Sequence, residues 1–412
     1  MNKLKLFNIY FLLFFTPIIG ACSVSKTINV ETINTNDLSI TSLIDTSLYV
    51  DLSKTYQNVS YKTFKLIYEN ISDKQENIFI SPLSIEYILG MLLNGATNAT
   101  KDSIMNFLEI DSVIEFNSYL YNLYKSIPSS NDFSLKIANS IWIRQELEPI
   151  NKAFFDLMVN YYFAHFDIIT DASTINDWVR EETENKIDSI ITDNDLESID
   201  LLLINAIYYK ANWNRPFDPN YTRKDYFFLE NGDTLRCYFM NNKNNFLYKE
   251  NNFSYIMALK YKGVDAYMYV ILPKENYKVG DIIPYLSDTL FYDLKSTYIN
   301  LYFPKFSFYF DKDLSEDFKN SILNIVFDKN KASFGNFTES DYNFYVNKIK
   351  HKSYIKVGEE GTEAAAVTSA ELILTSTPIN EDYITLKLNK PFIFIIKYKK
   401  TNLFIGILNK PK

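Results

Sequence analysis

The chain has 412 residues, of which 47% are hydrophobic and 16% aromatic, a composition that provides a large buried core and excludes a disordered chain. Its formal net charge is −8, and its lysines are scattered among acidic residues, which argues against a nucleic-acid partner. The two histidines, His165 and His351, lie in no metal-ligand motif such as HExxH or CxxC, so we expect no metal and no other cofactor.

The N-terminus has the plan of a secretory signal peptide over residues 1–21. Lys3 and Lys5 precede an apolar run over 6–19, which is too short to span a membrane comfortably. The run ends in Ile-Gly-Ala-Cys, which resembles a bacterial lipobox and implies that Cys22 becomes a lipidated N-terminus. We therefore expect a lipid anchor in the bacterial outer membrane, with the protein facing the periplasm or the cell surface. An ordinary signal peptide with an accidental cysteine is the alternative.

Two regions follow the signal peptide. Residues 22–55 are rich in Ser, Thr, Asn and Asp, which predicts a flexible tether. No linker interrupts residues 56–412, which favours a single large domain. With Cys22 acylated, Cys237 has no cysteine partner, so we expect a core cysteine and no disulfide.

The strongest helix signal follows Ser81, a favoured N-cap residue, with Pro82 at the first helical position and Gly95 at the end. A second helical pattern covers residues 175–190. Apolar runs typical of strands occupy residues 201–210, 266–272, 301–310, 392–398 and 403–408. Helices in the first half and strands in the second indicate an α+β domain built around large sheets.

Five segments, in order along residues 54–412, resemble the serpin family of serine protease inhibitors. They are NIFISPLSIEYILGMLLNGATNAT (77–100), INDWVREETENKI (175–187), LLLINAIYYKANWNRPFD (201–218), HKSYIKVGEEGTEAAAVT (351–368) and NKPFIFIIKYKKTNLFIGILNKP (389–411). The resemblance implies the serpin fold, in which helices pack around three β-sheets. It also implies an exposed reactive-centre loop, at about residues 359–385, that can insert into a sheet.

The segment EEGTEAAAVTSA (359–370) is where the resemblance places the hinge of that loop. Helix propensity alone favours a surface helix here, although Gly361 weakens that interpretation. As a strand, the segment puts only small side chains on one face: Thr362, Ala364, Ala366, Thr368 and Ala370. A serpin hinge needs this property, because it inserts as an extra strand after cleavage. The hinge residues implied are Glu359, Gly361, Thr362, Glu363, Ala364, Ala365, Ala366 and Thr368.

The family's spacing from the hinge glycine places the scissile bond at Thr375–Ser376, with Leu374–Thr375 as the alternative. A small residue before the bond suits elastase-like and subtilisin-like serine proteases, and leucine suits chymotrypsin-like ones. Trypsin-like targets are disfavoured because no Arg or Lys lies between Glu371 and Asp382. Papain-like cysteine proteases stay open as targets.

The resemblance also assigns residues that control insertion. Ser81, Ser84, Asn205 and His351 match the family's shutter, a hydrogen-bonded cluster beneath the sheet. Trp213 matches the breach, where the loop first enters the sheet, and Glu359 is expected to anchor the closed loop. The alternative for each is a satisfied core polar group or a packed aromatic residue.

We therefore expect a monomeric suicide-substrate inhibitor of endopeptidases rather than an enzyme. The nearest alternative is a non-inhibitory serpin that acts as a binding or chaperone-like surface lipoprotein. Such members typically carry bulky, charged or proline residues on the inserting face, and residues 362–370 carry none there. A lipid-anchored hydrolase is disfavoured because the sequence has no GxSxG elbow.

Overall fold

A computed structural model describes residues 30–31, 44–45, 53–128, 130–197, 199–338, 344–362 and 383–411. Several residues singled out above lie outside these ranges: Cys22, Glu363, Ala364, Ala365, Ala366, Thr368, Leu374, Thr375 and Ser376. The rest of the hinge, the shutter residues and the breach tryptophan lie within them.

Nine α-helices occur in the described residues. They are α1 (Ser53–Asn70), α2 (Pro82–Gly95), α3 (Asn98–Leu108), α4 (Val113–Lys125), α5 (Lys152–Tyr161), α6 (Ala172–Glu182), α7 (Asp193–Leu196), α8 (Val279–Ile282) and α9 (Ser315–Lys319).

Seventeen strands accompany them. They are β1 (Val30–Glu31), β2 (Ile78–Ile80), β3 (Phe133–Ile143), β4 (Ile150–Asn151), β5 (Ala164–Ile168), β6 (Leu201–Asn212), β7 (Arg223–Phe228), β8 (Thr234–Glu250), β9 (Ser254–Lys260), β10 (Ala266–Pro273), β11 (Lys295–Pro304), β12 (Phe306–Asp313), β13 (Lys350–Val357), β14 (Gly361–Thr362), β15 (Ile384–Lys387), β16 (Phe392–Tyr398) and β17 (Thr401–Leu408).

The strands form two large sheets and one small one. One sheet has six strands in the order β12-β13-β14-β6-β3-β5, and another has the order β15-β11-β8-β9-β10-β16-β17-β2 with β7 attached to β8. The parallel pair β1 and β4 forms the third. The α+β class is confirmed. Two of the three sheets expected are joined into one here, because the long strand β8 pairs with β7 and β11 over residues 234–248 and with β9 over residues 247–250.

Helix α2 fills the space between the two large sheets, packing against β6 on one side and β17 on the other. It begins as the sequence predicts, since the Ser81 hydroxyl accepts the Ser84 N–H at 3.1 Å and Pro82 follows the cap. Every residue of the helix is buried. Gly95 is required by close packing, because a Cβ there would lie 2.5 Å from the Phe337 ring. The N-terminus of this helix contributes residues to the candidate functional site described below.

The helix predicted over residues 175–190 is shorter than expected. Helix α6 ends at Glu182, and Glu184 and Asn185 adopt left-handed conformations with φ of 51° and 59°. The Thr183 hydroxyl donates to the Val179 carbonyl and accepts the Ile187 N–H, so the polar groups released at the helix end are satisfied. Ile187 and Ile191, which follow α6, are buried in irregular chain, and Ile190 is half-buried there.

The strand predicted over residues 301–310 is two strands in different sheets. β11 ends at Pro304, and β12 begins at Phe306 after the chain crosses from the eight-strand path to the six-stranded sheet. Pro304 has no N–H to continue a ladder, and the Lys305 N–H donates to the Tyr238 carbonyl instead. The largely apolar run over residues 301–310 therefore contains a change of sheet that its pattern does not indicate.

Part of the segment expected to be a tether contacts the folded core. β1 pairs in parallel with β4, Ile44 is buried, and the Asp45 N–H donates to the Ser118 hydroxyl at 3.1 Å. Helix α1 begins at Ser53, slightly before the domain start expected at residue 56.

Cys237 is buried in β8, and burial raises the pKa of its thiol to about 11. No helix within the described ranges is long and apolar enough to cross a membrane. In the same ranges, no group of three His, Cys, Asp or Glu side chains is placed to hold a metal ion.

Helix α2 carries a buried carboxyl group. Glu86 is 2% exposed, and its Oε1 accepts a hydrogen bond from the Ser60 hydroxyl at 2.9 Å. Its Oε2 has no hydrogen-bond partner among the described residues. Burial raises the pKa of Glu86 to about 8, so this carboxyl is protonated at neutral pH.

Replacement of Glu86 by Gln should therefore remove a pH dependence of stability. The unfolded carboxyl ionises near pH 4.5 and the folded one only near pH 8, so the unfolded state holds fewer protons between these values. The free energy of unfolding of the natural protein then falls as the pH rises through this window. Between pH 5 and 8 we expect the free energy of unfolding, measured by urea denaturation, to fall by roughly 3 kcal/mol more for the natural protein than for Glu86→Gln. Glu69→Gln, an exposed control on α1, should keep the natural dependence of the free energy of unfolding on pH. If the natural protein and Glu86→Gln showed the same dependence, the assignment of a buried, protonated Glu86 would be wrong.

Candidate functional site

The site is a gap in the six-stranded sheet between β6 and β13. In the described residues these strands have no pairing with each other and are joined only through β14. β14 is antiparallel to both, pairing Thr362 with Val357 on one side and Gly361 with Asn212 on the other. β6 and β13 therefore run parallel, and the space between them beyond β14 is the strand gap.

Gly361 is necessary for β14 to enter the gap. A Cβ built on this residue would lie 2.1 Å from the Ala211 carbonyl oxygen and 2.8 Å from the Asn212 Cα. No side chain fits at that separation from the backbone of β6. The glycine noted in the sequence thus has a steric role in a strand.

The turn from β13 into β14, residues 358–360, is fixed by backbone hydrogen bonds to the segment after β6. The Trp213 N–H donates to the Glu360 carbonyl at 2.7 Å, and the Trp213 indole N–H donates to the Gly358 carbonyl at 3.0 Å. The Phe217 N–H donates to the Glu359 carbonyl at 2.9 Å. Trp213 therefore contacts the turn through both its backbone and its side chain.

The Glu359 carboxylate adds an ionic contact to this turn. It lies 2.8 Å from the Lys305 ammonium and accepts a hydrogen bond from the Thr222 hydroxyl at 2.9 Å. Burial by itself raises the pKa of Glu359, but the bonds from Lys305 and Thr222 outweigh it and leave the pKa below its usual value. Lys305 lies between β11 and β12, where the chain passes from one sheet to the other. This passage therefore also places the Lys305 ammonium beside Glu359.

The Thr362 side chain points into the core. It is 3% exposed, and its hydroxyl lies 2.6 Å from that of Tyr261, whose ring stacks on Trp213 at 4.6 Å between centroids. The inward face of β14 is thereby fixed. Since side chains alternate along a strand, every second residue after Thr362 would face inward if β14 were longer.

The four residues expected to form a shutter lie together beneath the strand gap. His351 on β13 accepts the Ser81 N–H at Nε2 over 3.2 Å, and the Ser84 hydroxyl donates to the Asn205 carbonyl on β6 at 3.3 Å. Ser81 and Ser84 are joined by the cap bond of α2. We call Ser81, Ser84, Asn205 and His351 the polar cluster. It connects the two edges of the gap through the helix N-terminus.

The polar cluster continues to residues that the sequence did not single out. The Asn205 amide donates to the Asn139 side-chain oxygen on β3 at 2.7 Å, and the Asn139 amide donates to the Tyr162 carbonyl at 2.7 Å. Asn139 is 1% exposed. An asparagine inside the apolar run of β3 is a usable signal, because a buried amide needs partners. Tyr261 and Thr222 carried no comparable signal in the sequence.

His351 is 6% exposed, and burial lowers the pKa of its imidazole to about 4. The backbone hydrogen bond with Phe79 acts in the opposite direction but is the smaller effect. The neutral ring is the form that accepts the Ser81 N–H at Nε2, and a protonated ring cannot accept it.

A central sheet with a strand gap, a two-residue strand seated at one end and a polar cluster beneath it defines a class of protein whose sheet can accept another strand. The family model of serpins (serine protease inhibitors) matches residues 54–411. Serpin-Z10 of Arabidopsis thaliana is 30% identical, with 81% of this chain and 92% of the plant protein covered. The chain belongs to the serpin family, whose members are in general suicide-substrate inhibitors of proteases and not catalysts.

Solved structures agree with this assignment. The native state of tengpin, a thermophilic serpin, matches with a TM-score of 0.79 at 31% identity, covering 93% of this chain and 97% of tengpin. Human thyroxine-binding globulin, solved with its hormone bound, matches with a TM-score of 0.78 at 23% identity, covering 88% of this chain and 98% of that one. The serpin fold expected from the sequence is therefore confirmed.

Acid should weaken the polar cluster by protonating His351. The unfolded imidazole takes up a proton near pH 6.5 and the folded one only near pH 4, so stability is lost as the pH falls through this window. The loss should approach about 3 kcal/mol at pH 4, and His351→Gln should show a flatter profile in urea denaturation.

Proton NMR gives an independent measurement of the same group. The chain has two histidines, so the spectrum of His165→Gln assigns the His351 ring signals. We expect those signals to show a neutral ring at pH 5. A His351 titration midpoint near pH 6.5 would exclude the buried, hydrogen-bonded state described here.

Proposed function

We propose that this protein inhibits an endopeptidase by offering its reactive loop for cleavage and inserting the cleaved loop into the strand gap. The observation that carries this proposal is β14, which already occupies the mouth of the gap in the antiparallel orientation that insertion requires. Serpin loop insertion is an established case of strand addition to a sheet. Each backbone hydrogen bond gained along the two edges contributes about 0.5–1.5 kcal/mol.

The register of β14 predicts where an inserted loop would lie. If the two observed pairings continued after cleavage, Ala364 would lie between Tyr209 and Ile355, Ala366 between Ile207 and Ser353, and Thr368 between Asn205 and His351. Thr368 would thus reach the polar cluster.

One buried oxygen atom on β6 supports this register. The Asn205 Oδ1 has no hydrogen-bond partner among the described residues. Asn205 would flank an inserted strand on its inward face. Thr368 would bring a hydroxyl to the level of Asn205, where a donor is needed. From Thr362 to Ala370 the inward face of the loop consists of Ala and Thr side chains small enough for a packed core, and Leu372 and Leu374 follow on the same face.

The proposed trap works through the scissile bond. The protease nucleophile attacks the Thr375 carbonyl, the acyl-enzyme forms on Thr375, and the Ser376 amine leaves with the C-terminal part of the chain; Leu374–Thr375 is the alternative bond. Insertion from Thr362 to Thr375 at about 3.3 Å per residue would carry the acylated protease roughly 40 Å. The uncleaved form must then be held by a kinetic barrier, to which the polar cluster and the Glu359 contacts contribute.

We further propose that the protein is a monomeric lipoprotein of a bacterial cell envelope, anchored at Cys22. The signal-peptide pattern and the lipobox-like sequence at residues 19–22 support this. Elastase-like and subtilisin-like proteases fit the small residue before Thr375–Ser376. Lipidation is tested by mass spectrometry of the mature N-terminus, where a diacylglyceryl cysteine at position 22 is expected.

The first functional test mixes the protein with elastase-like, subtilisin-like, chymotrypsin-like and papain-like proteases and analyses the products on denaturing gels. We expect a covalent complex with the elastase-like or the subtilisin-like protease, because Thr375, the residue before the proposed scissile bond, is small. Mass spectrometry of the released peptide should show a first residue of Ser376, or of Thr375 if Leu374 is attacked. Cleavage in the loop by every protease without a stable complex would instead favour a non-inhibitory serpin that binds a ligand or a partner, as thyroxine-binding globulin binds its hormone.

The second functional test separates insertion from simple cleavage. Ala366→Arg puts a charge on the inward face, which should slow insertion of the loop. Hydrolysis of the acyl-enzyme should then release the protease before the loop has inserted. We expect at least a ten-fold drop in the ratio of trapped to cleaved protein. Ala365→Arg carries the same substitution on the opposite face and should trap far better. If the two variants trapped equally well, the proposed register would be wrong.

A further inference from the structure

A second opening lies in the other large sheet, where strands β8 and β9 separate. Their pairing runs from Glu250↔Tyr255 to Leu247↔Ala258 and does not continue, while β8 stays paired with β11 on its other edge from Tyr248 to Phe239. β9 continues to Lys260 beside β10. The two strands thus diverge like a fork, and a cleft of about 260 Å³ opens between Phe246 and Leu259.

The walls of this cleft are mostly apolar and aromatic, and its neutral polar lining residues are Asn214, Asn245 and Ser296. Phe246, Leu247, Ala258 and Leu259 form the arms of the fork, and Trp213 and Tyr267 lie at its sides. A cavity of about 150 Å³ is enough for one benzene molecule, so this volume suits a ligand with one or two rings.

The charged groups of the cleft all have the same sign. Arg215 and Lys260 line it, and no carboxylate does so among the described residues. The Arg215 guanidinium is positioned by hydrogen bonds to the Asn244 side chain and, at 3.2 Å, to the Asn245 carbonyl. The Lys260 ammonium lies 5.9 Å from the centroid of the Tyr267 ring. Neither cation forms an ion pair with any described carboxylate, although the chain as a whole is acidic.

We propose that the β8–β9 cleft binds a small amphipathic anion, namely a compact aromatic or aliphatic body bearing a carboxylate or sulfonate. The apolar arms would take up the body of the ligand, and Arg215 and Lys260 would bind the acidic group at the rim. An apolar pocket with a few convergent polar groups is the usual form of a small-molecule site. Charge-assisted hydrogen bonds from two cations select an anion over a neutral analogue of the same shape.

This site is separate from the strand gap, but the two share Trp213. The indole ring lines the cleft, while its N–H donates to the Gly358 carbonyl of the hinge turn. Binding in the cleft does not require cleavage or insertion of the loop. The proposal therefore stands or falls independently of protease inhibition.

The test uses two dyes of similar shape on the full chain: 1-anilinonaphthalene-8-sulfonate, which is anionic, and N-phenyl-1-naphthylamine, which is neutral. Titration followed by dye fluorescence should show saturable one-to-one binding of the sulfonate. The double variant Arg215→Gln/Lys260→Gln should weaken sulfonate binding at least about ten-fold and change neutral-dye binding by less than about two-fold. Both residues are exposed, so the urea denaturation midpoint should stay unchanged and confirm that the variant is folded.

The matched control is Lys224→Gln/Arg236→Gln on β7 and β8. These exposed cations also lie over aromatic rings, at 5.7 Å and 5.6 Å from the Tyr238 and Tyr226 centroids, and their loss changes the net charge equally. We expect this control to bind both dyes as the natural protein does. Absence of saturable sulfonate binding, equal weakening in both double variants, or equal loss of both dyes in the cleft variant would each overturn the proposal.

Discussion

The architecture depends on two parallel strands, β6 and β13, that lie side by side in one sheet without pairing to each other. Backbone N–H and C=O groups along such edges are strong hydrogen-bonding groups, and an edge strand readily accepts another chain segment. Here Gly361 and Thr362 occupy only the mouth of the gap. The rest of the fold surrounds this gap: α2 lies beneath it, and Trp213 and Glu359 contact the turn at its entrance. In the proposed function, the chain that follows β14 in sequence fills it.

In the proposed mechanism, the polar cluster closes the gap and opens when the loop inserts. His351 and Asn205 lie on opposite edges, and the hydrogen bonds of the described residues connect them through Ser81 and Ser84 at the start of α2. An apolar closure of the same space would gain from burial and resist a new strand. In the proposed mechanism, hydrogen bonds at the helix N-terminus would instead be exchanged for hydrogen bonds to an inserted threonine at little net cost, because each bond contributes only about 0.5–1.5 kcal/mol.

Two buried titratable groups, one acidic and one basic, lie on α2 and at its N-terminus: Glu86 and His351. Burial keeps Glu86 protonated and His351 deprotonated, so both are neutral near pH 7. Their effects on stability oppose each other between about pH 4.5 and 6.5, since one loses stability as the pH rises and the other as it falls. The net pH profile of the protein is therefore a poor guide to either group, and each has to be isolated by substitution.

The sequence by itself determined the elements whose signals are local. The start of α2 follows from Ser81 and Pro82, and the strands β6, β10, β16 and β17 follow from apolar runs, because capping and burial patterns act within a few residues. The ordered family motifs also predicted the fold, and the resemblance indicated Ser81, Ser84, Asn205 and His351 as a cluster.

What only the tertiary structure decided depends on residues far apart in the chain. The split of 301–310 between two sheets, the end of α6 at Glu182, the partners Asn139 and Tyr261, and the β8–β9 cleft all arise where distant segments meet. Local propensity carries no information about such contacts, since the sheet a strand joins and the space left between strands are set by long-range packing.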